Sequence, residues 1–221
     1  MRPIRKLAIG LWIAVFLFAG IRLGIGWRPG FAPQAVNTTV DSTVDSGGNM
    51  QPSGEPAAGQ VAVGDPLPEI RLADINGEMR PLGDWSGRTR LINFWATWCA
   101  PCRQEMPLLE QFQQSQDPAR MQVIGIAIDR REAVLRFLGE TGVTYPNLIG
   151  EMDATRAAER FAPAFALPLS VVAAPDGTVL AIHMGELHAS DLEQVAEVAS
   201  GLADGSVTVA EAPGRLKLGT R

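Results

Sequence analysis

The segment Phe94-Trp95-Ala96-Thr97-Trp98-Cys99-Ala100-Pro101-Cys102 joins a predicted strand to a predicted helix. The strand is the apolar, aromatic run Arg90–Ala96, and the helix covers Ala100–Gln116, where Asp117-Pro118 ends it. A Cys-x-x-Cys pair at the start of a helix favours a thiolate, because free N–H groups and the helix dipole stabilise negative charge there. We therefore expect the pKa of the Cys99 thiol to lie below the free value of about 8.5.

The two cysteines of this motif are the only ones among the 221 residues. A disulfide framework would need cysteines scattered along the chain. A structural zinc site needs four ligands, and the chain adds only the distant His183 and His188, so we predict no metal site. A redox dithiol remains, in which Cys99 attacks a disulfide and Cys102, one helical turn further and more buried, resolves the mixed disulfide. Pro101 suits the first turn, where the N–H that it lacks would be unpaired.

A stripe on one face of the predicted helix places a carboxyl group beside the inner sulfur. The stripe has helical spacing and consists of Cys102, Glu105, Met106, Leu109 and Phe112. A partly buried Glu105 would have a raised pKa and could exchange a proton with the thiols. Alternatively, Glu105 leans into solvent or pairs with Arg103 or with a basic residue elsewhere, and the spacing alone leaves both interpretations open.

The order of strands and helices around the motif predicts an α/β sandwich with a mixed sheet. Two short strands, Glu69–Ala73 and Glu78–Leu82, flank Asn76-Gly77, which is a strong hairpin signal. The last helix is predicted to open with a capping box, Ser190-Asp191-Leu192-Glu193. The other predicted elements are the strands Met121–Ile128, Tyr145–Ile149, Leu169–Ala174 and Thr178–Met184, the helix Arg131–Thr141, and a helix that Asp153 caps and that ends near Phe161.

Composition divides the chain into four parts. Residues 1–27 contain three basic residues followed by the apolar segment Leu7–Trp27, which Arg22 interrupts, and they are predicted to form an uncleaved signal-anchor that spans the membrane. A cleaved signal peptide is the alternative, although small residues are poorly placed for a cleavage site. Residues 28–60 are predicted to be a flexible linker and residues 61–203 the folded domain, while the tail 204–221 is left without an assigned structure.

The charge balance argues against a nucleic-acid partner. The formal net charge is −5, and the sequence contains no cluster of Lys and Arg that would neutralise phosphates.

Taken together, the motif and its flanks resemble the thioredoxin superfamily, and specifically its TlpA/ResA-like membrane-anchored thiol–disulfide oxidoreductases. The resemblance rests on Trp-Cys-x-Pro-Cys at 98–102, on Asn-Phe-Trp-Ala-Thr at 93–97 and on Arg-Gln-Glu-Met-Pro at 103–107, and it covers about Val61–Ala203. It implies a thioredoxin fold, in which helices flank a mixed central sheet, with an N-terminal β-hairpin extension and an N-terminal transmembrane helix.

The resemblance also implies roles for single residues. Glu105 matches the carboxylate that ResA-like proteins place near their cysteines. Asn93 stands where thioredoxin has a buried Asp, a replacement that TlpA-like relatives share. Pro168 matches the cis-proline that faces the active site in this family, and the backbone of Leu167 would pair with a substrate strand. Leu169 departs from the usual Thr, which leaves partner specificity open.

By resemblance, the activity is reduction of disulfides in extracytoplasmic client proteins, such as the haem-attachment cysteines of apocytochrome c or the copper-site cysteines of an oxidase. Trp98, Ala100, Pro101 and Leu167 would contact the substrate, and no cofactor is implied. The implied partners are thiol or disulfide clients and a membrane electron donor of the CcdA or DsbD type. The domain would face the periplasm, or another extracytoplasmic space, from a single-pass anchor in the inner (cytoplasmic) membrane.

Two other functions stay open at this point. A thiol peroxidase of the same superfamily needs a polar residue beside the attacking cysteine, and Thr97 lies two residues before Cys99, although the vicinal Cys102 is atypical. A copper chaperone would bind Cu(I) through the two soft thiolates. Pro101 and the helix start suit redox chemistry better than an open metal loop.

Two further tryptophans, Trp85 and Trp95, are expected in the hydrophobic core.

Overall fold

Seven strands and five helices form the regular structure of residues 59–219, the part of the chain that this computed structural model describes. The strands are β1 (Arg71–Asp74), β2 (Met79–Pro81), β3 (Thr89–Trp95), β4 (Met121–Ile128), β5 (Asn147–Gly150), β6 (Leu169–Ala173) and β7 (Val179–Met184). The helices are α1 (Ala100–Ser115), α2 (Arg131–Thr141), α3 (Met152–Glu159), α4 (Ala189–Asp204) and α5 (Ala212–Arg215), with a 3-10 helix at Leu82–Trp85.

All seven strands belong to one mixed sheet in the order β2-β1-β5-β4-β3-β6-β7. The three central strands β3, β4 and β5 are parallel, and β1, β2, β6 and β7 pair antiparallel with their neighbours. Parallel neighbours need a crossover connection, which α1 supplies between β3 and β4 and α2 supplies between β4 and β5. This is the thioredoxin-type arrangement of a mixed sheet flanked by helices that the sequence predicts.

Buried side chains form two clusters, one on each face of the sheet. Successive strand residues point to opposite faces, so Leu91 belongs to one cluster and Ile92 to the other. The first cluster includes the buried sides of α1 and α4, and the second includes the buried side of α3. The two cysteines belong to the first cluster, so the site is built between the sheet and α1.

Two helix starts differ from the prediction. Helix α3 begins at Met152, so Asp153 lies in its first turn and is not its cap. The predicted capping box at Ser190 and Glu193 is also wrong, because α4 begins at Ala189 and follows His188. The buried carboxylate of Asp191 accepts a hydrogen bond from the His188 N–H at 2.8 Å, and this bond fixes the earlier start.

The chain beyond the predicted domain boundary at Ala203 packs into the same core. Helix α4 continues to Asp204, and Gly205 ends it in the left-handed conformation. Val207 then packs on Gly201, where an added Cβ would lie 2.3 Å from Val207 Cγ2. Further buried side chains in this segment are Ala212 and Leu216. The tail that the sequence left unassigned therefore covers α4 as far as residue 219.

The predictions for residues 1–58 lie outside the described residues. These are the membrane-spanning segment Leu7–Trp27 and nearly all of the linker. Within residues 59–219, no helix is both long and apolar enough to cross a membrane.

Candidate active site

The two cysteines form a disulfide at the N-terminus of α1. Cys99 is the residue that caps the helix, and its Sγ accepts a hydrogen bond from the Cys102 N–H at 3.3 Å. Cys102 is fully buried, as predicted, but Cys99 is only 5% exposed. The outer cysteine is therefore less accessible in this disulfide state than its position at the helix start suggests.

The loop before Cys99 is tied to the end of β4 by a carboxylate. Asp129 Oδ2 accepts hydrogen bonds from the Thr97 N–H at 3.1 Å and from the Thr97 hydroxyl at 2.5 Å. Trp98, the next residue, is 68% exposed. The indole of Trp98 is thus on the surface next to Cys99, while Thr97 is half-buried and bound to Asp129.

Glu105 lies on the buried face of α1 and is only 1% exposed. Its Oε1 accepts a hydrogen bond from Asn93 Nδ2, and its Oε2 accepts one from the Leu187 N–H, both at 2.8 Å. The alternative in which Glu105 leans into solvent or pairs with Arg103 is therefore wrong. Burial, with a smaller contribution from the nearby charge of Glu186, raises the pKa of Glu105 to about 7, against the lowering effect of these two hydrogen bonds.

Asn93 connects three elements of the site. Its Nδ2 group donates to Glu105 on α1 and also to Ser170 Oγ on β6 at 3.0 Å, so both amide hydrogens are used. Its Oδ1 is buried without a hydrogen-bond partner among residues 59–219. Asn93 therefore supplies one donor to the buried carboxylate and connects it, through its other N–H, to Ser170 on β6.

The loop that follows β7 brings Pro168 and Glu105 into one hydrogen-bonded unit. The peptide bond between Leu167 and Pro168 is cis, as predicted. The Gly185 N–H donates to the Pro168 carbonyl at 2.8 Å, and two residues later the Leu187 N–H donates to Glu105. We refer to Gly185–His188 as the β7–α4 loop. It is hydrogen-bonded to both Glu105 and Pro168.

The remaining predicted residues are placed as follows. Ala100 is exposed and Pro101 half-buried at the helix start, and Leu167 is half-buried beside the cis-proline. Trp95 is fully buried and its indole donates to Asn147 Oδ1 at 2.9 Å, while Trp85 is buried in the second cluster. Among residues 59–219, no group of three or more His, Cys, Asp or Glu side chains could hold a metal ion.

Comparison with known proteins assigns this arrangement to a family. A family model described as Redoxin matches residues 62–198, which contain both cysteines, Glu105 and Pro168. The chain belongs to the Redoxin family. Within the thioredoxin superfamily it is a ResA-like protein, in agreement with the resemblance that the motif indicates.

Two curated relatives of this Redoxin-family chain illustrate the likeness. It is 29% identical over 135 residues to the thiol-disulfide oxidoreductase ResA of Geobacillus kaustophilus, which covers 61% of this chain and 76% of the relative. It is 30% identical over 135 residues to the thioredoxin-like protein YneN of Bacillus subtilis, which covers 59% of this chain and 76% of the relative.

Solved structures show the same fold. A thiol:disulfide interchange protein of the thioredoxin family from Chlorobium tepidum superposes with a TM-score of 0.56 at 25% identity, over 63% of this chain and 98% of that one. A secreted thiol-disulfide isomerase from Corynebacterium glutamicum gives a TM-score of 0.56 at 26% identity, over 62% of this chain and 85% of that one.

Sequence reasoning missed three contributors to the site of this Redoxin-family chain. Asp129 follows a buried strand and could have been suspected from that position. The Leu187 N–H lies 82 residues from Glu105 in sequence, and nothing in the local pattern predicts its contact. The sequence pattern places Asp191 inside a capping box of Ser190 and Glu193, whereas its carboxylate accepts a hydrogen bond from the His188 N–H at the end of the β7–α4 loop.

Proposed function

We propose that the chain is a thiol–disulfide oxidoreductase whose redox centre is the Cys99–Cys102 pair. One observation carries the proposal: the Cys99–Cys102 disulfide lies at the N-terminus of α1, and the buried carboxylate of Glu105 lies about one turn beyond Cys102 on the same helix. The names of the relatives, thiol-disulfide oxidoreductase and thiol:disulfide interchange protein, agree with this chemistry.

The exchange reaction is a two-electron transfer in two steps. In the reduced protein, the Cys99 thiolate attacks one sulfur of a client disulfide, which forms a mixed disulfide and releases the other client sulfur as a thiolate. Cys102 then loses its proton and attacks the Cys99 sulfur, which closes the Cys99–Cys102 disulfide and releases the second client thiolate. The client gains two electrons, and the two client thiolates take up protons. A donor dithiol restores the protein by the same steps in reverse.

Glu105 is the proposed acceptor of the Cys102 proton. It lies three residues after Cys102 on the buried face of α1, and its pKa of about 7 allows it to hold or release a proton near neutral pH. Asn93 and the Leu187 N–H each donate one hydrogen bond to its oxygens, so the carboxylate form stays solvated by the protein. Glu105 is thus suited to a proton step and not to nucleophilic attack.

The client surface is proposed to surround the exposed Trp98. Ala100 and Pro101 adjoin it at the helix start, and the backbone of Leu167 lies before the cis-proline. An extended client segment that pairs with the Leu167 backbone would bring its disulfide to Cys99. The clients are proposed to be extracytoplasmic proteins, and the haem-attachment cysteines of apocytochrome c and the copper-site cysteines of an oxidase have suitable chemistry.

The direction of electron transfer and the cellular location of the protein are part of the same proposal. Neither residue between the cysteines supplies an imidazole or another cation that would stabilise the Cys99 thiolate, which favours a reducing potential nearer to that of thioredoxin than to that of DsbA. Electrons would come from a membrane donor of the CcdA or DsbD type. The apolar segment Leu7–Trp27 supports a single-pass anchor in the inner membrane with the domain on the periplasmic or extracytoplasmic side.

The geometry gives less support to peroxide chemistry. A peroxidase would need the Thr97 hydroxyl to face a peroxide beside the attacking sulfur, but this hydroxyl donates to Asp129.

A peptide reduction assay tests the proposed function. The reduced full-length chain is mixed with a peptide that carries an oxidised Cys-x-x-Cys-His motif, and free peptide thiols are measured over time. Stoichiometric transfer of two electrons per chain is expected, and a Cys99→Ser variant should transfer none. The proposal is overturned if the unsubstituted chain leaves both this peptide and the disulfides of insulin oxidised while it consumes hydrogen peroxide.

A further inference from the structure

The C-terminal segment ends against the loop that holds the site. This segment, Gly205–Gly219, leaves the end of α4, packs Val207, Ala212 and Leu216 into the core beside that helix, and returns toward its N-terminus. On the way, the Lys217 N–H donates to Gln194 Oε1 at 2.7 Å. The segment therefore runs back along α4 to the point where the β7–α4 loop enters it.

One buried carboxylate joins the segment to the loop. Asp191 is buried; its Oδ1 accepts from the Gly219 N–H at 2.9 Å and its Oδ2 accepts from the His188 N–H at 2.8 Å. Each oxygen thus takes one donor, one from the C-terminal segment and one from the end of the β7–α4 loop. Only a carboxylate offers two acceptor oxygens in this geometry, because an amide would turn a donor toward one of the two N–H groups.

A second contact fixes the end of the segment. Gly219 has a φ of +73°, and an added Cβ would lie 2.4 Å from His183 Cε1, so only glycine fits this position without displacement. His183 lies on β7, directly opposite Ser170 on β6, and Ser170 accepts a hydrogen bond from Asn93. The end of the segment therefore rests on the strand that leads into the loop as well as on Asp191.

The loop that is held in this way contacts the site twice. The Leu187 N–H, adjacent to the residue bound by Asp191, donates to Glu105, and the Gly185 N–H donates to the Pro168 carbonyl. Leu187 is also buried in the same side-chain cluster as Leu216 of the C-terminal segment. A displacement of the His188 N–H would move the Leu187 N–H away from the buried carboxylate.

We propose that Asp191 is a positioning residue of the redox site, and that the segment Gly205–Gly219, bound to it through Gly219, holds the β7–α4 loop against Glu105 and Pro168. The simplest alternative is that Asp191 only caps α4, in which case its loss would lower the stability of the fold without a specific effect on the loop. The inference rests on the proposed function only in naming the site a redox site.

Two truncations of the full-length chain distinguish positioning of the β7–α4 loop from simple capping of α4. Ending the chain after Leu218 removes the Gly219 donor, and ending it after Gly219 keeps that donor and is the matched control. Amide hydrogen exchange by mass spectrometry is measured in the reduced proteins over a peptide that covers residues 185–188 and over a peptide from the middle of α4. We expect exchange in the loop peptide to be several-fold faster after truncation at Leu218 and unchanged after truncation at Gly219, with α4 the same in both.

The substitution Asp191→Asn gives a second, independent measurement. Its expected effect is the same faster hydrogen exchange in the loop peptide only. The pH profile of thiol alkylation should also shift to lower pH, because Glu105 is less ionised when the Leu187 N–H no longer donates to it. The inference is overturned if the Leu218 truncation exchanges like its control, or if every peptide accelerates equally in both Asp191→Asn and the truncated chain. Hydrogen exchange needs no client, so it tests this inference independently of the proposed function. An unsubstituted chain that reduces no disulfide would count against the proposed function alone.

Discussion

Asn93 Nδ2 lies 2.8 Å from Glu105 Oε1, and this hydrogen bond links β3 to α1 across the segment that contains both cysteines. The donor is neutral, so it stabilises the carboxylate without supplying a compensating positive charge. Burial then outweighs the two hydrogen bonds and leaves the pKa of Glu105 near 7. The consequences of this balance can be measured in stability, in thiol reactivity and in the trapping of intermediates.

The first prediction concerns stability against pH. Glu105 is protonated in the folded protein up to about pH 7, whereas in the unfolded chain it ionises near its usual 4.5. Between these values the unfolded state holds fewer protons, so the free energy of unfolding falls as pH rises. The total fall in the free energy of unfolding is about 3–4 kcal/mol, at roughly 1.4 kcal/mol per pKa unit. Denaturant unfolding of the oxidised protein at pH 4.5 and pH 8 should show this fall, and Glu105→Gln should lack it. Parallel pH dependences in the two proteins would contradict the buried titration.

The second prediction concerns the thiols of the reduced protein. An ionised Glu105 opposes a second negative charge nearby, so Glu105→Gln should lower the thiol pKa. The same variant should reduce a client more slowly, because it cannot accept the Cys102 proton. Iodoacetamide alkylation against pH measures the first effect, and a shift of one unit corresponds to about 1.4 kcal/mol. Coupled titration would broaden the profile of the unsubstituted protein relative to the variant. If both the profile and the reduction rate are unchanged, Glu105 has no part in the chemistry.

The third prediction assigns the attacking sulfur. Cys99 caps the helix and Cys102 is completely buried, so Cys102→Ser should accumulate a stable mixed disulfide with an oxidised peptide through Cys99. The matched variant Cys99→Ser should accumulate much less. Mass spectrometry of the trapped adducts identifies the linked cysteine. Faster alkylation of Cys102 than of Cys99 in the reduced unsubstituted protein would reverse the assignment.

The fourth prediction concerns attachment to the membrane. Because Leu7–Trp27 is apolar apart from Arg22, the full-length chain expressed in bacterial cells should stay in the membrane pellet after carbonate extraction. A chain in which a cleavable signal peptide replaces residues 1–27 is the matched control and should be released. Recovery of a soluble product that starts near residue 30 would show that the N-terminal segment is cleaved.

The parts of the fold that depend on local pattern were predictable from sequence. Strand β4 at Met121–Ile128 and helix α2 at Arg131–Thr141 have the predicted limits, because an apolar run and a helical repeat each end at clear polar or glycine boundaries. Helical spacing also placed Glu105 on the buried stripe of α1 as one of two open interpretations, and the resemblance to ResA-like proteins favoured the buried one, which the structure shows. For β4 and α2, the pattern that predicts the element lies within the strand or the helix itself.

The parts that depend on distant contacts were not predictable in this way. The start of α4 is set by Asp191 and the His188 N–H, and the rival capping residue Ser190 looks equally suitable in sequence. The structure of the C-terminal segment depends on a gap beside Gly201 that only the folded helix creates. The partner of Glu105 on the β7–α4 loop likewise exists only once β7 has paired with β6.

The last prediction concerns Glu110, a second buried carboxylate on α1, whose pKa is lowered where that of Glu105 is raised. Glu110 lies on α1 and accepts hydrogen bonds from the Thr144 N–H at 2.8 Å, the Thr144 hydroxyl at 2.6 Å and the Tyr145 N–H at 3.3 Å. Desolvation raises its pKa, but these bonds and one from Gln114 outweigh that effect and lower it.

The stabilising contribution of Glu110 is therefore complete above the usual carboxyl pKa and is lost as pH falls through the lowered value. Glu110→Gln keeps one acceptor for the Thr144 and Tyr145 N–H groups, but it removes the charge and turns an NH2 group toward the Thr144 hydroxyl and the Gln114 amide, which both donate to Glu110 Oε1. The substitution should cost about 1–3 kcal/mol at neutral pH, with a smaller loss below pH 4. Denaturant unfolding measures that difference. The pH profile of thiol alkylation should stay unchanged, because Glu110 is hydrogen-bonded to the segment before β5 and not to the site. A shifted alkylation profile in Glu110→Gln would mean that the two carboxylates of α1 act together on the cysteines.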